Sequence, residues 1–139
     1  MFRVVLDTVV FVRALLSPRS RSGQILFDHS EGYVMIFSAE TLGEFLGVIQ
    51  RPELRAKYRS LAKIDIRRIL DLISSAEMVQ IHAIPPVVRD PSDDMFIATA
   101  IAGDADFVVS EDKDLLSLGS SVAIQVINTA KFLQLLEGN

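Results

Sequence analysis

The chain predicts an α/β fold in which a parallel sheet is covered on both faces by helices. Three observations predict it. Short apolar runs rich in β-branched residues recur along the 139 residues, which is the pattern of strands buried on both faces. Segments with helical periodicity separate those runs. Strands joined through helices pair in parallel, with right-handed crossovers.

Phe2 to Leu6 is the first such run. Thr8 to Leu16 follows as a helix, with Asp7 or Thr8 as cap and Ser17-Pro18 as stop. A second helix is expected over Ser22 to His29, ending near Gly32. Tyr33 to Phe37 reads as the second buried strand. Ser38 caps a helix whose Leu42, Phe45, Leu46 and Ile49 fall at i, i+3, i+4 and i+7, stopping before Pro52. The following segment through Ser75 reads as helical, with Ile66, Ile69, Leu70 and Ile73 as its inner stripe. Met78 to Ile84 reads as a strand, and Asp93 to Ala102 as a helix closed by Gly103. A strand over Phe107 to Ser110, a short helix over Asp112 to Leu118, a last strand over Val122 to Ile127 and a helix from Thr129 complete the chain. No repeat or linker interrupts it, so a single domain over residues 1–139 is expected.

Composition excludes several classes of function. At 50% hydrophobic and 23% charged the chain is globular. It holds no cysteine, which removes disulfides, zinc–thiolate sites and thiol catalysis. No apolar run reaches bilayer length, and Met1 to Leu6 meets Asp7 too soon for a secretory apolar region, so the cytoplasm is the expected address. The formal net charge of −4 denies it a global field for gripping duplex DNA. Charge is nevertheless segregated. Arg51, Arg55, Lys57, Arg59, Lys63, Arg67 and Arg68 face only Glu53 and Asp65 in one stretch. Asp90, Asp93, Asp94, Asp104, Asp106, Glu111, Asp112 and Asp114 crowd another, beside only Arg89 and Lys113.

In open parallel sheets, ligands bind beyond the carboxyl ends of the strands, where strand order reverses. Asp7 ends the first strand, and Asp112 lies just past the strand at Phe107 to Ser110. With the first strand central, these two ends meet. Asp94 has Ile97, Ala98 and Ile101 as helical neighbours, so its carboxylate needs compensation, and a hard cation with oxygen ligands supplies it. Each acid also has a plainer reading. Asp7 caps a helix, Asp93 and Asp94 answer a helix dipole, and Asp112 and Asp114 resemble an ordinary helix start. Periodicity places Glu44 off the apolar stripe of its helix and does not select it over Glu40. His29 and His82 read as structural. The glycines form no phosphate loop or dinucleotide fingerprint, no serine sits in a nucleophile elbow, and Phe11, Phe45 and Phe96 occupy core positions.

Four stretches together carry a resemblance: Val4 to Thr8, Ser38 to Phe45, Val88 to Ala98 and Asp106 to Leu116. In this order the chain resembles the PIN-domain family, essentially end to end, and looks most like its branch of toxins from toxin–antitoxin pairs. The resemblance implies a three-layer α/β/α sandwich and a Mg²⁺- or Mn²⁺-dependent endoribonuclease. It carries the family's acids onto Asp7, Glu44, Asp94 and Asp112 as metal ligands and catalytic residues. Asp93, Ser110 and Asp114 match supporting positions. It also implies an RNA substrate, a cognate antitoxin and a homodimer. The basic stretch, with Arg51, Arg55 and Lys57, is expected to steer the RNA backbone, its plainer reading being a solvated helical face. One departure is Val9, where the family usually has Asn. The alternative it raises is a catalytically weak or inactive PIN-fold module that binds nucleic acid or protein. The same Val9 argues against a haloacid-dehalogenase-type phosphatase, which needs a second Asp there. A receiver domain lacks its phosphoacceptor Asp and its Lys.

Overall fold

In the computed structural model, which describes residues 1–57, 66–82, 91–118 and 124–138, Phe2–Leu6 forms β1 at the centre of a five-stranded sheet. On one side lie β2 (Tyr33–Ser38) and then β3 (Glu77–Val79). On the other lie β4 (Phe107–Val109) and then β5 (Gln125–Ile127). Every pairing is parallel, with Val4 opposite Met35 in β2 and Leu6 opposite Val109 in β4. The order β3-β2-β1-β4-β5 makes the β1–β4 boundary the place where the chain switches sides of the sheet.

The strand period of two divides the core into two faces. Val4 and Leu6 enter one cluster, with Phe11, Phe45 and Phe132. Val5, between them, enters another with Phe96, Ile97, Ala100 and Leu115. The first face is covered by α1 (Thr8–Leu16), α3 (Ala39–Ile49) and α8 (Thr129–Leu136). The second is covered by α6 (Pro91–Ala102) and α7 (Lys113–Leu116). The result is the expected three-layer α/β/α arrangement.

Local chemistry sets the helix ends nearest the strand tips. Ser38 caps α3 through a reciprocal box with Thr41, and its hydroxyl also meets Thr99 Oγ1 of α6 at 2.8 Å. These buried hydroxyls fix the start of α3 against α6. At its other end α6 closes as a Schellman motif, in which Asp104 N–H donates to Ile101 O and Ala105 N–H to Ala100 O. The helix ends at Ala102 before Gly103, as expected, and the left-handed residue is the next one, Asp104, φ 49°. Gly103 is small for another reason: a Cβ would stand 2.9 Å from Ile36 Cγ2.

Several expectations need correction. The second helix begins as α2 (Arg21–Gly23) and widens at once into a π-helical turn, Gln24–Asp28, closed by His29 N–H on Gln24 O. The basic stretch contains α4 (Pro52–Lys57) and α5 (Ile66–Ser74), while residues 58–65 lie outside the described residues. On α5 the expected inner residue Leu70 is exposed. Ile69 and Ile73 pack inward as expected, with Leu72 in place of Leu70. The third strand is only Glu77–Val79, and the rest of the expected run beyond residue 82 lies outside the described residues, as does the expected start of the last strand at residues 122–123. Among the described residues, no helix is long and apolar enough to cross a membrane.

Gly23 gives a direct test of this packing. A Cβ on it would stand 2.1 Å from the Pro18 carbonyl oxygen, a backbone atom that cannot swing aside. Gly23→Ala is expected to cost about 1–3 kcal/mol, read as a lower urea midpoint at unchanged m-value.

Candidate active site

The hydrogen bonding of the central strands continues one residue past their ends. Asp7 N–H donates to Val109 O at 3.0 Å, and Ser110 N–H donates to Ile127 O at 3.0 Å. Asp7 and Ser110 therefore stand side by side at the switch point. Asp7 is 4% exposed. Its Oδ1 accepts Val9 N–H at 3.3 Å as the cap of α1, and its Oδ2 accepts the Ser110 hydroxyl at 2.7 Å. Ser110 Oγ in turn accepts Asp112 N–H at 2.9 Å, so one buried hydroxyl ties the two acids together. Asp112 caps α7, with Oδ1 accepting Asp114 N–H at 2.7 Å.

Glu44 comes from the far side of the switch point. Phe45 is buried beside it on α3, so the preceding residue is held at the helix edge nearest α1. Thr8 Oγ1 donates to Glu44 Oε2 at 2.7 Å, and Thr8 is itself buried. The solvated placement that periodicity assigns to Glu44 is thus corrected: the residue is half-buried and held. A helical wheel carries no information about a neighbouring helix.

These contacts bring Asp7, Glu44 and Asp112 into the lining of one cavity of about 440 Å³. Its wall is largely aliphatic, from Val9, Val12, Leu16, Val48 and Leu54, and Arg13 and Arg51 also line it. The Asp7 carboxyl is pushed above its ordinary value, chiefly by burial. Its bonds to Ser110 and Val9 pull the other way, and the Asp112 and then the Glu44 carboxylates push it further up. Among the described residues, no three His, Asp or Glu side chains form a ready-made metal-binding group. The remaining expected acid, Asp94, and its neighbour Asp93 lie in the first turn of α6, and their side chains are outside the described residues. So are the side chains of Arg55 and Lys57. Asp114 contributes its backbone N–H to Asp112 and does not line the cavity.

Sequence reasoning missed Thr8 and Arg13. Thr8 follows the key acid and gives no signal of its own. Arg13 did leave one. Val9, Val12, Arg13 and Leu16 fall at i, i+3, i+4 and i+7, a second face of α1 beside the buried one of Val10, Phe11 and Ala14. A helix with two faces engaged lies between the core and a cleft.

A parallel three-layer sheet with carboxylates gathered at its switch point defines an α/β protein with an acidic strand-end site. Residues 3–114 match the family model of the PIN domain, and the chain belongs to that family. PIN domains are generally nucleases. The chain is 31% identical over 121 residues to the uncharacterised protein MJ1680 of Methanocaldococcus jannaschii, covering 84% of this chain and 74% of that one. Its fold is similar to that in the crystal structure of VapBC2 from Rickettsia felis, bound to a DNA fragment from its promoter. There the TM-score is 0.61 at 14% identity, over 91% of this chain and 98% of that one. It is also similar to PAE2754 from Pyrobaculum aerophilum, with TM-score 0.53 at 15% identity, over all of this chain and 91% of that one.

Proposed function

We propose that this protein is a divalent-metal-dependent endoribonuclease in which Asp7, Glu44, Asp94 and Asp112 hold Mg²⁺ or Mn²⁺. The observation that carries the reading is Asp7, a nearly buried carboxylate without a cationic partner among the described residues, sharing its cavity with two further carboxylates. Charge gathered in this way is costly unless a cation neutralises it, and a set of carboxylate oxygens suits a hard divalent ion. Bound there, the ion supplies an acidified water and charge neutralisation for phosphodiester hydrolysis.

The chain's own residues prepare the site. Ser110 and the α1 backbone fix Asp7, Thr8 fixes Glu44, and Ser110 holds the backbone of Asp112. Glu44 Oε1 and Asp112 Oδ2 accept no hydrogen bond among the described residues. They are the oxygens open to the ion or to the proton of the attacking water. Asp93, Ser110 and Asp114 act as supporting residues. Arg51, with Arg55 and Lys57 on the same helix or just before it, attracts the RNA backbone once the acids are neutralised.

A cleavage assay on single-stranded RNA tests this reading. Turnover is expected with Mg²⁺ or Mn²⁺, none in excess EDTA, and recovery on adding the metal back. RNA left intact at every metal concentration would overturn it. Thr8→Val keeps the volume and removes the hydroxyl that orients Glu44. It is expected to weaken Mn²⁺ binding by calorimetry about 10–100-fold, while Thr8→Ser keeps it. Equal affinities in the two variants would deny Thr8 that role.

The likeness to VapBC2 supports a place as the toxin of a toxin–antitoxin pair, with a cognate antitoxin as partner; a homodimeric state and a cytoplasmic location are proposed with it. A small adjacent reading frame whose product co-purifies with this chain is the expected finding. Val9 favours a second reading, a binding module of PIN fold without turnover. It is 54% exposed on the cavity wall, where it offers an aliphatic surface and no amide. The cleavage assay separates the two readings.

A further inference from the structure

Next to the acidic cavity is a smaller one of about 180 Å³, lined by Arg13, Arg21, Ser20, Ser22, Glu111 and Thr129. Arg13 lines both. It sits in the last turn of α1, and Arg21 opens α2 after the Ser17–Ser20 turn. Both arginines are exposed, and among the described residues neither guanidinium has a hydrogen-bond or ion-pair partner. The hydroxyl of Ser20 is committed to Ser17 O and to the Gly23 N–H. Glu111 is engaged as well: its Oε1 accepts both the backbone N–H and the hydroxyl of Thr129, which ties it to the start of α8. Two uncommitted guanidinium groups outweigh that one carboxylate. Among the described residues, the cationic donors left free in the cavity are those of Arg13 and Arg21.

We propose that this second cavity is a phosphate subsite. In it Arg13 and Arg21 seat the backbone phosphate of an RNA strand, next to the phosphodiester presented at Asp7, Glu44 and Asp112. A guanidinium offers paired N–H donors that match two phosphate oxygens, a fit that a lysine ammonium does not reproduce. The proposal rests on the ribonuclease reading, because that reading puts a phosphodiester in the adjoining cavity. It assigns the backbone contact to α1 and the start of α2, apart from the basic stretch at Arg51–Arg68. Arg13, common to both linings, joins the two sites.

The test uses the full chain carrying Asp7→Asn, which binds without cutting, in Mg²⁺ buffer with a fluorescein-labelled single-stranded oligoribonucleotide. Anisotropy gives Kd across a series of salt concentrations. Adding Arg21→Ala is expected to weaken binding about tenfold and to lower the salt slope by about 0.7, the loss of one phosphate contact on a single strand. Arg21→Lys is expected to recover the slope and only part of the affinity. Arg19→Ala removes the same charge outside both cavities and is expected to leave the slope unchanged. Arg21→Ala matching Arg19→Ala in Kd and slope overturns the subsite. So does oligoglutamate competing as well as RNA at equal charge, because the cavity is then a general anion seat. Wild-type cleavage with Arg21-independent binding removes the subsite and leaves the nuclease. Arg21-dependent binding without wild-type cleavage removes the nuclease and leaves the subsite.

Discussion

Asp7→Asn is expected to abolish RNA cleavage and at the same time to make the metal-free protein more stable. On the proposed mechanism, losing a carboxylate that would help to bind the ion removes several kcal/mol of charge stabilisation at the reacting phosphate, about 10³-fold in rate. The amide is nearly isosteric and still caps α1, since Asn serves as well as Asp at that position. Its single oxygen keeps the cap on Val9 N–H, and its NH2 then donates to Ser110 Oγ in place of the bond that the carboxylate accepted. What disappears is the buried negative charge and its repulsion by Asp112 and Glu44.

The pH dependence follows from the same shift. The folded protein holds the Asp7 proton more tightly than the unfolded chain does, because burial has raised the carboxyl above its ordinary 3.8. The cost of ionising it is absent below that ordinary value, grows as pH rises, and is complete above the folded-state pKa. Neutral pH lies above that ordinary value, where the cost is present, so Asp7→Asn is expected to raise Tm in EDTA by about 2–6 °C, at about 4 °C per kcal/mol. The gap to wild type should close as pH falls through the acid range. Added Mn²⁺ should stabilise wild type much more than the variant. Scanning fluorimetry across pH, with and without metal, measures all three. A variant less stable than wild type at neutral pH would show that the Asp7 charge is already compensated in the apo protein.

Phe11→Ala is expected to have the largest effect on the fold. Phe11 is 1% exposed, and its ring centroid lies 4.2 Å from that of Phe45 and 5.8 Å from that of Phe37. It therefore packs α1, which carries Thr8, against α3, which carries Glu44. Truncation should cost about 3–5 kcal/mol, much of the 5–15 kcal/mol that a domain of this kind has to lose. Urea unfolding measures it. Ile101→Ala, on the exposed side of α6, should cost no more than about 0.5 kcal/mol. Because the same ring contact sets the spacing of Thr8 and Glu44, Phe11→Leu should retain most of the stability but weaken Mn²⁺ binding. Unchanged metal affinity in Phe11→Leu would place the control of Glu44 elsewhere.

Much of this architecture was legible in the chain because strand and helix periods are local properties. The runs at Phe2–Leu6 and Tyr33–Phe37, the Ser38 cap and the alternation of strand with helix needed no tertiary information. Neither did the position of Asp7 at a strand end. The misreadings came where packing chose between local options. On α5 the inner face is set by what the helix covers, so Leu70 turned outward.

By itself, then, the sequence determined the fold class, the parallel connection of strands through helices, and which acids stand at strand ends and helix starts. Tertiary structure alone decided that β1 lies between β2 and β4, which sets Asp7 beside Ser110 and opposite Thr8-bound Glu44. The physical reason is range. A helix cap or an apolar period is satisfied within a few residues, whereas Asp7 and Ser110 meet only after about a hundred residues of chain have folded between them. The field that raises the Asp7 carboxyl exists only once burial has removed water from it.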